Sequence, residues 1–231
     1  MIYRSPAQRA ITPQHRGRFP GFDVVERADD WDALTAGTVL ARLGPAAATV
    51  FFTETEAGIA GALLDRLLAQ DGEPRIPVLA LIDARLAAGE TDGWHYDDLP
   101  EDGQAWRDTL RYLESDASSR YGTGFAETQV RRQTVLIQQV QDLAAASECW
   151  HGLPAERVWS LWTRYACTAF YSHPWAWNEI GFSGPAYPRG YLNPGVDALE
   201  RFEVADHDDV DPGPFADRVE RARHRHLEDQ P

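Results

Sequence analysis

Histidine and carboxylate side chains in the C-terminal third of the chain are the first candidates for chemistry. His173 is followed six residues later by Glu179, and His151 lies upstream. Imidazole and carboxylate groups bind zinc and transfer protons near neutral pH. No two of these residues have the i, i+4 spacing on a helix that would fix a metal site, so we expect His173 to pack or hydrogen-bond within its own loop. A free-standing, metal-assisted enzyme that uses His173 and Glu179 is the alternative.

Other reactive side chains do not form a recognisable site. Cys149 and Cys167 lack the CxxC or CxxCH spacing of a zinc, redox or haem site. The acidic stretch 97–102 lacks the alternating Asp/Asn and terminal Glu of a calcium loop. No GxGxxG follows a predicted strand, and no Gly-x-Ser-x-Gly elbow occurs. The sequence therefore predicts no catalytic, cofactor-binding or metal-binding residue in this chain.

The segment from Tyr171 to Tyr191 is the most distinctive part of the sequence. It interleaves two Trp, three Tyr and one Phe with three Pro and three Gly, and both Pro and Gly oppose a long helix. We expect an irregular, chain-reversing surface element whose large aromatic side chains anchor a protein partner. The predicted partner-interface residues are Trp175, Trp177, Asn178, Glu179, Tyr187, Arg189 and Tyr191.

Two uses of these residues stay open in the sequence. The tryptophans could insert into pockets of a partner, or they could pack internally against the last major helix. Asn178 and Glu179, beside Gly and Pro, suit hydrogen bonds that fix a turn. Arg189 suits a fork-like bond to a carboxylate or a backbone carbonyl, either within the chain or across an interface.

Hydrophobic residues recur at helical spacing through most of the chain, and no sustained alternation indicates strands. Asp32 can cap a short helix that ends near Gly44, and Thr53-Glu54-Thr55-Glu56 is a capping box for a second helix. Further helices are predicted over residues 76–88, 104–117 and 125–146, followed by a central, very apolar helix that has Pro154 in its first turn.

The predicted fold is all-α, an irregular bundle of about five or six helices. We assign residues 1–30 to an extended arm that must lie on something to be ordered, and residues 31–206 to a single helical domain that includes the Pro/Gly/aromatic loop region. Residues 207–231 form a C-terminal tail that is helical or frayed.

Composition narrows the classes of function. The chain has 231 residues, of which 43% are hydrophobic, enough for one compact core. Its net charge of -14 opposes binding to nucleic acid or to an anionic membrane. No apolar run approaches the roughly 18 residues of a membrane-spanning helix. The N-terminal residues show no paired arginines with an apolar stretch behind them, so we expect cytoplasmic localisation.

The order of residues in the aromatic segment resembles the closing signature of the gluconate 2-dehydrogenase subunit 3 family. The matching elements are Tyr171-Ser172-His173-Pro174, Trp177-Asn178-Glu179-Ile180-Gly181, Gly184-Pro185 and Pro188-Arg189-Gly190-Tyr191. Upstream, Phe51-Phe52-Thr53-Glu54-Thr55-Glu56, Glu73-Pro74-Arg75-Ile76-Pro77 and Ile82-Asp83 are similar to the family's opening helix and the segment after it. The resemblance covers roughly residues 50 to 192.

This resemblance implies a non-catalytic small subunit that binds and stabilises the FAD-containing large subunit of a sugar, polyol or glycoside dehydrogenase complex. It implies that FAD belongs to that partner, which is of the glucose-methanol-choline type, and that a cytochrome could serve as acceptor. The family's small subunits often carry an export signal, from which this sequence departs. A partner with its own signal could still carry the complex to the periplasm or a membrane. A transient chaperone that matures the dehydrogenase is a further alternative.

Overall fold

The computed structural model describes residue 19 and residues 22–94, 96–196 and 198–205. Predictions for residues 1–18 and 206–231, which include most of the arm and all of the tail, lie outside the described residues. The helices are a 3-10 helix (Val24–Asp30), α1 (Ala33–Ala41), α2 (Glu54–Leu68), α3 (Val78–Ala87), α4 (Asp102–Tyr121), α5 (Val130–Ala145), α6 (Ala155–Tyr171) and α7 (Pro174–Ile180). Strands β1 (Cys149–Trp150) and β2 (Leu153–Pro154) form a short antiparallel hairpin between α5 and α6.

The predicted all-α class is confirmed. Among the described residues there are seven α-helices, because Pro174–Ile180 forms a short helix inside the segment that the sequence predicts to be irregular. No helix within the described ranges combines the length and the apolar character needed to cross a lipid bilayer.

Capping side chains set helix boundaries where the sequence predicts them. The Asp32 carboxylate accepts a hydrogen bond from the Thr35 N–H at the start of α1. Thr53 and Glu56 form the reciprocal capping box of α2, which satisfies two backbone donors that a helix start otherwise leaves unpaired.

A buried carboxylate fixes the chain just before α2. Asp83, on α3, is 1% exposed. Its two oxygens accept hydrogen bonds from the N–H groups of Val50, Phe51 and Phe52 at 2.6, 3.0 and 2.9 Å. Three charge-assisted bonds offset the cost of burying the charge, so Asp83 ties the entry of α2 to α3.

The main hydrophobic core lies among α2 to α6, and α6 contacts each of the other four helices. Trp106, Trp162 and Tyr165 are fully buried there, and the Trp162 Nε1–H donates to Thr109 Oγ1 at 3.1 Å. Burial of such large aromatic side chains contributes strongly to stability. The central position of α6 agrees with its apolar sequence.

Two local predictions differ from the structure. Residues 125–129 form turns instead of the first turn of α5, because the Phe125 N–H donates to the Glu114 carboxylate at 2.7 Å. Gln133 Nε2 then donates to the Phe125 carbonyl at 3.0 Å. Residues 24–30, assigned to an extended arm, form the 3-10 helix, whose first turn is capped by Asp23 through the Val25 N–H.

A second, smaller hydrophobic cluster joins the two ends of the described chain. Phe22, Val24, Trp31 and Val39 pack with Trp177 of α7. We call residues 22–43 the N-terminal cap. Exposed residues 44–50, which have no regular secondary structure, connect the cap to α2.

Candidate partner-binding site

The aromatic segment begins with the short helix α7, whose ends follow ordinary capping rules. His173 is the N-cap, and its Nδ1 accepts a hydrogen bond from the Trp175 N–H at 3.2 Å. Pro174 occupies the first helical position, where its missing N–H is harmless. Gly181 ends the helix in the left-handed conformation.

Two of the predicted interface residues on α7 are buried within the chain itself. Trp177 is 6% exposed and packs against the N-terminal cap. Its Nε1–H donates to the Tyr171 carbonyl at 2.6 Å. Asn178 is 2% exposed, and its Oδ1 accepts a hydrogen bond from the Val24 N–H at 2.8 Å. Trp177 thus packs inside its own chain, and the packing element is the N-terminal cap, whereas the alternative named the last major helix.

Trp175 and Glu179 lie between core and surface. Trp175 is half-buried, packs against the main core, and has its ring 4.9 Å from that of His173. Glu179 is half-buried as well. Neither presents the large exposed face that would mark it as a separate anchor.

Two glycines let the N-terminal segment approach the aromatic loop. Gly181 and Gly184 have φ of +67° and +77°, a region that costs other L residues energy. A Cβ on Gly181 would lie 2.6 Å from the Phe19 ring, and a Cβ on Gly184 would overlap the indole of Trp31. Both glycines are therefore required by backbone conformation and by close packing.

Arg189 organises the loop after α7 from within the chain. Its Nη2 donates to the carbonyls of Ser183 and Gly184, each at 3.2 Å. Its guanidinium lies over the ring of Phe202 at 3.7 Å, and Tyr191 packs edge-on against the same ring. Of the uses that the sequence left open for Arg189, the structure shows the bond to backbone carbonyls of its own chain.

The loop after α7 and the segment that follows it carry five exposed apolar side chains, which we call together the C-terminal ridge. Its members and exposed fractions are Tyr187 (67%), Tyr191 (55%), Leu192 (86%), Val196 (94%) and Leu199 (56%). Two of the predicted interface residues, Tyr187 and Tyr191, lie on this ridge. The three aliphatic members are not among the predicted interface residues, although apolar residues in a segment rich in Pro and Gly are an available signal.

The residues considered for metal or acid-base chemistry do not come together. His173 is 1% exposed, and burial lowers its pKa to about 4, so it is neutral at neutral pH. His151 Nε2 lies 2.7 Å from Asp116 Oδ1, and its ring stacks on Tyr112 at 4.6 Å. In the part of the chain that the structure describes, no three His, Cys, Asp or Glu side chains form a group that could hold a metal ion.

Acidic residues after α3 serve as structural anchors. Asp92 pairs with Arg85 of α3 and Arg164 of α6, while the Tyr165 O–H donates to the buried Asp102 carboxylate at 2.7 Å. Burial and this hydrogen bond to Asp102 raise the pKa of Tyr165 well above its ordinary value. The phenol therefore stays protonated, and the cluster fixes the loop on the helices.

Comparison with known proteins gives one assignment. The model of the family described as gluconate 2-dehydrogenase subunit 3 matches residues 54–184, from the first residue of α2 to the glycine that contacts Trp31. Searches of curated proteins and of solved structures found no match. By its name, the family is that of a subunit of a dehydrogenase that has several subunits. Since the match covers more than half of the chain, this protein belongs to the gluconate 2-dehydrogenase subunit 3 family.

Proposed function

We propose that this chain is a non-catalytic subunit that binds and stabilises the FAD-containing large subunit of a dehydrogenase acting on a sugar, polyol or glycoside. The observation that carries the proposal is the C-terminal ridge. A concentration of exposed apolar side chains in one stretch of a chain is typical of protein interfaces. Family membership supplies the class of the partner, a dehydrogenase subunit.

The ridge suits docking because its framework is ordered before a partner arrives. Arg189 donates hydrogen bonds to two carbonyls of the loop, and Ser183 Oγ donates to the Phe202 carbonyl. A loop that is already in its binding conformation loses less conformational entropy on association. Tyr187 and Tyr191 supply the large, stiff side chains that often dominate binding energy.

In this proposal the redox chemistry belongs to the partner. A flavin-dependent large subunit of the glucose-methanol-choline type would hold FAD and accept hydride from the substrate hydroxyl. A cytochrome would serve as the onward electron acceptor. Trp177 and Asn178 would act indirectly, because they hold α7 and the start of the loop in place.

Co-expression with a flavin-dependent dehydrogenase of the glucose-methanol-choline type from the same source tests the proposal. We expect the two chains to elute as one species that carries a flavin spectrum. Leu192→Ala should weaken the complex at least tenfold if this exposed leucine is an anchor. Leu34→Ala is the matched control, because Leu34 is 81% exposed on α1 and is not a member of the ridge.

Two results would contradict the proposal. One is the absence of any complex between the two folded chains. The other is equal affinity of Leu192→Ala and Leu34→Ala for the large subunit. A maturation chaperone would give a third pattern, in which the large subunit keeps its flavin and its activity after this chain has been removed.

A further inference from the structure

A pocket beside the C-terminal ridge concentrates positive charge in an acidic protein. The cavity has a volume of about 300 Å³, and its lining includes Arg27, Arg189 and Arg201 together with Leu192 and Phe202 of the loop region. Leu192 belongs to both the pocket and the ridge. The pocket is therefore continuous with the proposed docking surface, and three of the 22 basic residues meet there in a chain of net charge -14.

The charge of Arg189, in the pocket wall, is incompletely compensated. Its side chain is 13% exposed, and the nearest carboxylate oxygen, Oδ2 of Asp30, lies 3.9 Å from Nη1. Nη1 and Nε have no hydrogen-bond acceptor within the described part of the chain. Burial lowers the pKa of Arg189, whereas Asp30 raises it. A guanidinium that bonds to two carbonyls but has no carboxylate closer than 3.9 Å produces a positive potential in the space next to it.

The other two arginines are available at the same pocket. No carboxylate of the described residues lies within 4.0 Å of the side-chain nitrogens of Arg27 or Arg201. Two acidic residues also line the pocket, but both have other interactions. Glu200 is buried and accepts a hydrogen bond from the Asn193 N–H at 2.7 Å, and Asp30 faces Arg189. The pocket is lined by three positively charged guanidinium groups and two carboxylates that already have other interactions. It therefore has an excess of positive charge.

We infer that this pocket receives an acidic side chain of the dehydrogenase large subunit, held by Arg27 and Arg201 above the positive field of Arg189. The inference rests on the proposed function, since it names a contact within that docking surface. A carboxylate fits because arginine binds it with paired, planar hydrogen bonds. The size of the cavity matches one side chain with its immediate backbone. The apolar side chains of the neighbouring ridge would shield the ion pair between the carboxylate and the arginines from water.

Charge reversal provides the first test. Arg27→Glu and Arg201→Glu should each weaken binding of the co-expressed large subunit at least about tenfold at low ionic strength. Because salt screens such contacts, both variants should also reduce the dependence of affinity on salt concentration. Arg120→Glu, an exposed arginine on α4 that does not line the pocket, makes the same change in net charge and is the matched control.

A second test identifies the carboxylate directly. The sequence contains no lysine, so all of its basic residues are arginine. Arg201→Lys keeps the positive charge and introduces the single lysine amine of the chain. Treatment of the complex with a carbodiimide should join this amine to one Asp or Glu of the large subunit, which mass spectrometry would locate. Arg120→Lys should give no such product.

The outcomes separate the inference from the proposed function. If the wild-type chains form a complex that Leu192→Ala weakens, while Arg27→Glu and Arg201→Glu behave like Arg120→Glu, the docking proposal holds and the carboxylate inference is wrong. If the wild-type chains form no complex, both fail. Reversing the cross-linked acidic residue of the partner to Arg should restore binding to Arg201→Glu, and a lack of rescue would also overturn the inference.

Discussion

The backbone N–H of Val24 donates a 2.8 Å hydrogen bond to Oδ1 of Asn178, which lies 154 residues further along the chain. This bond is buried and joins the 3-10 helix of the N-terminal cap to α7. The residues of α7 fall within the family match, whereas the cap precedes it. The aromatic segment is thus held by a part of the chain that lies outside the shared region.

Removal of the Asn178 amide should destabilise the protein without altering its surface. Asn178→Ala leaves the buried Val24 N–H without its acceptor, which costs about 1–3 kcal/mol of unfolding free energy. Urea denaturation followed by far-ultraviolet circular dichroism measures the change. Gln139→Ala removes an exposed amide on α5 and should change the free energy by less than about 0.5 kcal/mol. Equal effects would mean that the bond to Val24 contributes nothing.

Alanine substitutions at Trp177 and at Tyr191 should affect different properties, the first the stability of the chain and the second its binding to the partner. Trp177→Ala opens a cavity beneath the cap and should cost about 3–5 kcal/mol of unfolding free energy. Tyr191→Ala, on the exposed ridge, should leave that free energy within about 1 kcal/mol while weakening the complex with the large subunit. Thermal unfolding of the isolated chains and titration against the partner give the two readouts. The reverse pattern would mean that Trp177 is the anchor.

Gly184→Ala should be far more costly than Gly190→Ala. Both glycines have positive φ, +77° and +68°, so backbone strain should lower the unfolding free energy by roughly 1–2 kcal/mol in each variant. Only Gly184 faces the Trp31 indole, whereas nothing lies within 4 Å of a Cβ at Gly190. The difference in unfolding free energy between the two variants therefore isolates the clash, and tryptophan fluorescence should report a displaced indole only in Gly184→Ala. Similar values for both would show that Trp31 moves aside freely.

Asp83→Asn should weaken the attachment of α2 to α3. The amide keeps the shape of the side chain but loses the charge and one of the two acceptor oxygens, so at least one N–H of residues 50–52 loses its partner. We expect a loss of about 3 kcal/mol in unfolding free energy, together with faster amide hydrogen exchange at residues 50–52. Asp71→Asn, at a side chain that is 73% exposed, is the control and should have little effect.

His173 should make the protein less stable in mild acid. Its pKa falls from 6.5 to about 4 on folding, mainly through burial and also through the charge of Arg42. Between these values the unfolded chain binds a proton that the folded chain excludes, so stability present above pH 6.5 is lost as the pH falls towards 4.

The substitution His173→Asn tests this dependence, because Asn can cap α7 but does not titrate. The wild type should lose roughly 2 kcal/mol more than the variant between pH 7 and pH 5. Guanidinium denaturation at both pH values measures it. The wild type and the variant share every other titrating group. Identical losses of unfolding free energy in the two proteins would therefore show that His173 binds its proton equally well in the folded and the unfolded state.

Short-range signals in the sequence predicted many features of the fold. Three of these features depend on residues within a few positions of one another, and each is found in the structure. They are the helix N-cap at Asp32, the capping box of Thr53 and Glu56, and the apolar face of α6. The helix α7 also had a local signal, since an N-cap residue precedes Pro174 and Gly181 follows the last turn.

The features that the sequence did not reveal depend on contacts between distant segments. In the sequence, Asp83 looks like an ordinary polar residue on α3. Its role follows only from the fold, which places the N–H groups of residues 50–52 beside its carboxylate. Phe125 belongs to the apolar pattern of α5, but its N–H is taken by Glu114 from another helix. Trp177 resembles an interface anchor because burial by the N-terminal cap cannot be inferred from neighbouring residues.

The position of the N-terminal cap has a consequence for other members of the family. The family match begins at residue 54, so the residues that cover Trp177 here precede the matched region. A family member without an equivalent N-terminal cap would leave that face of α7 exposed, and in the proposed complex the dehydrogenase subunit would have to cover it. Gain or loss of such a leading segment would then shift the boundary between the subunits of the proposed complex while the helical bundle stayed the same.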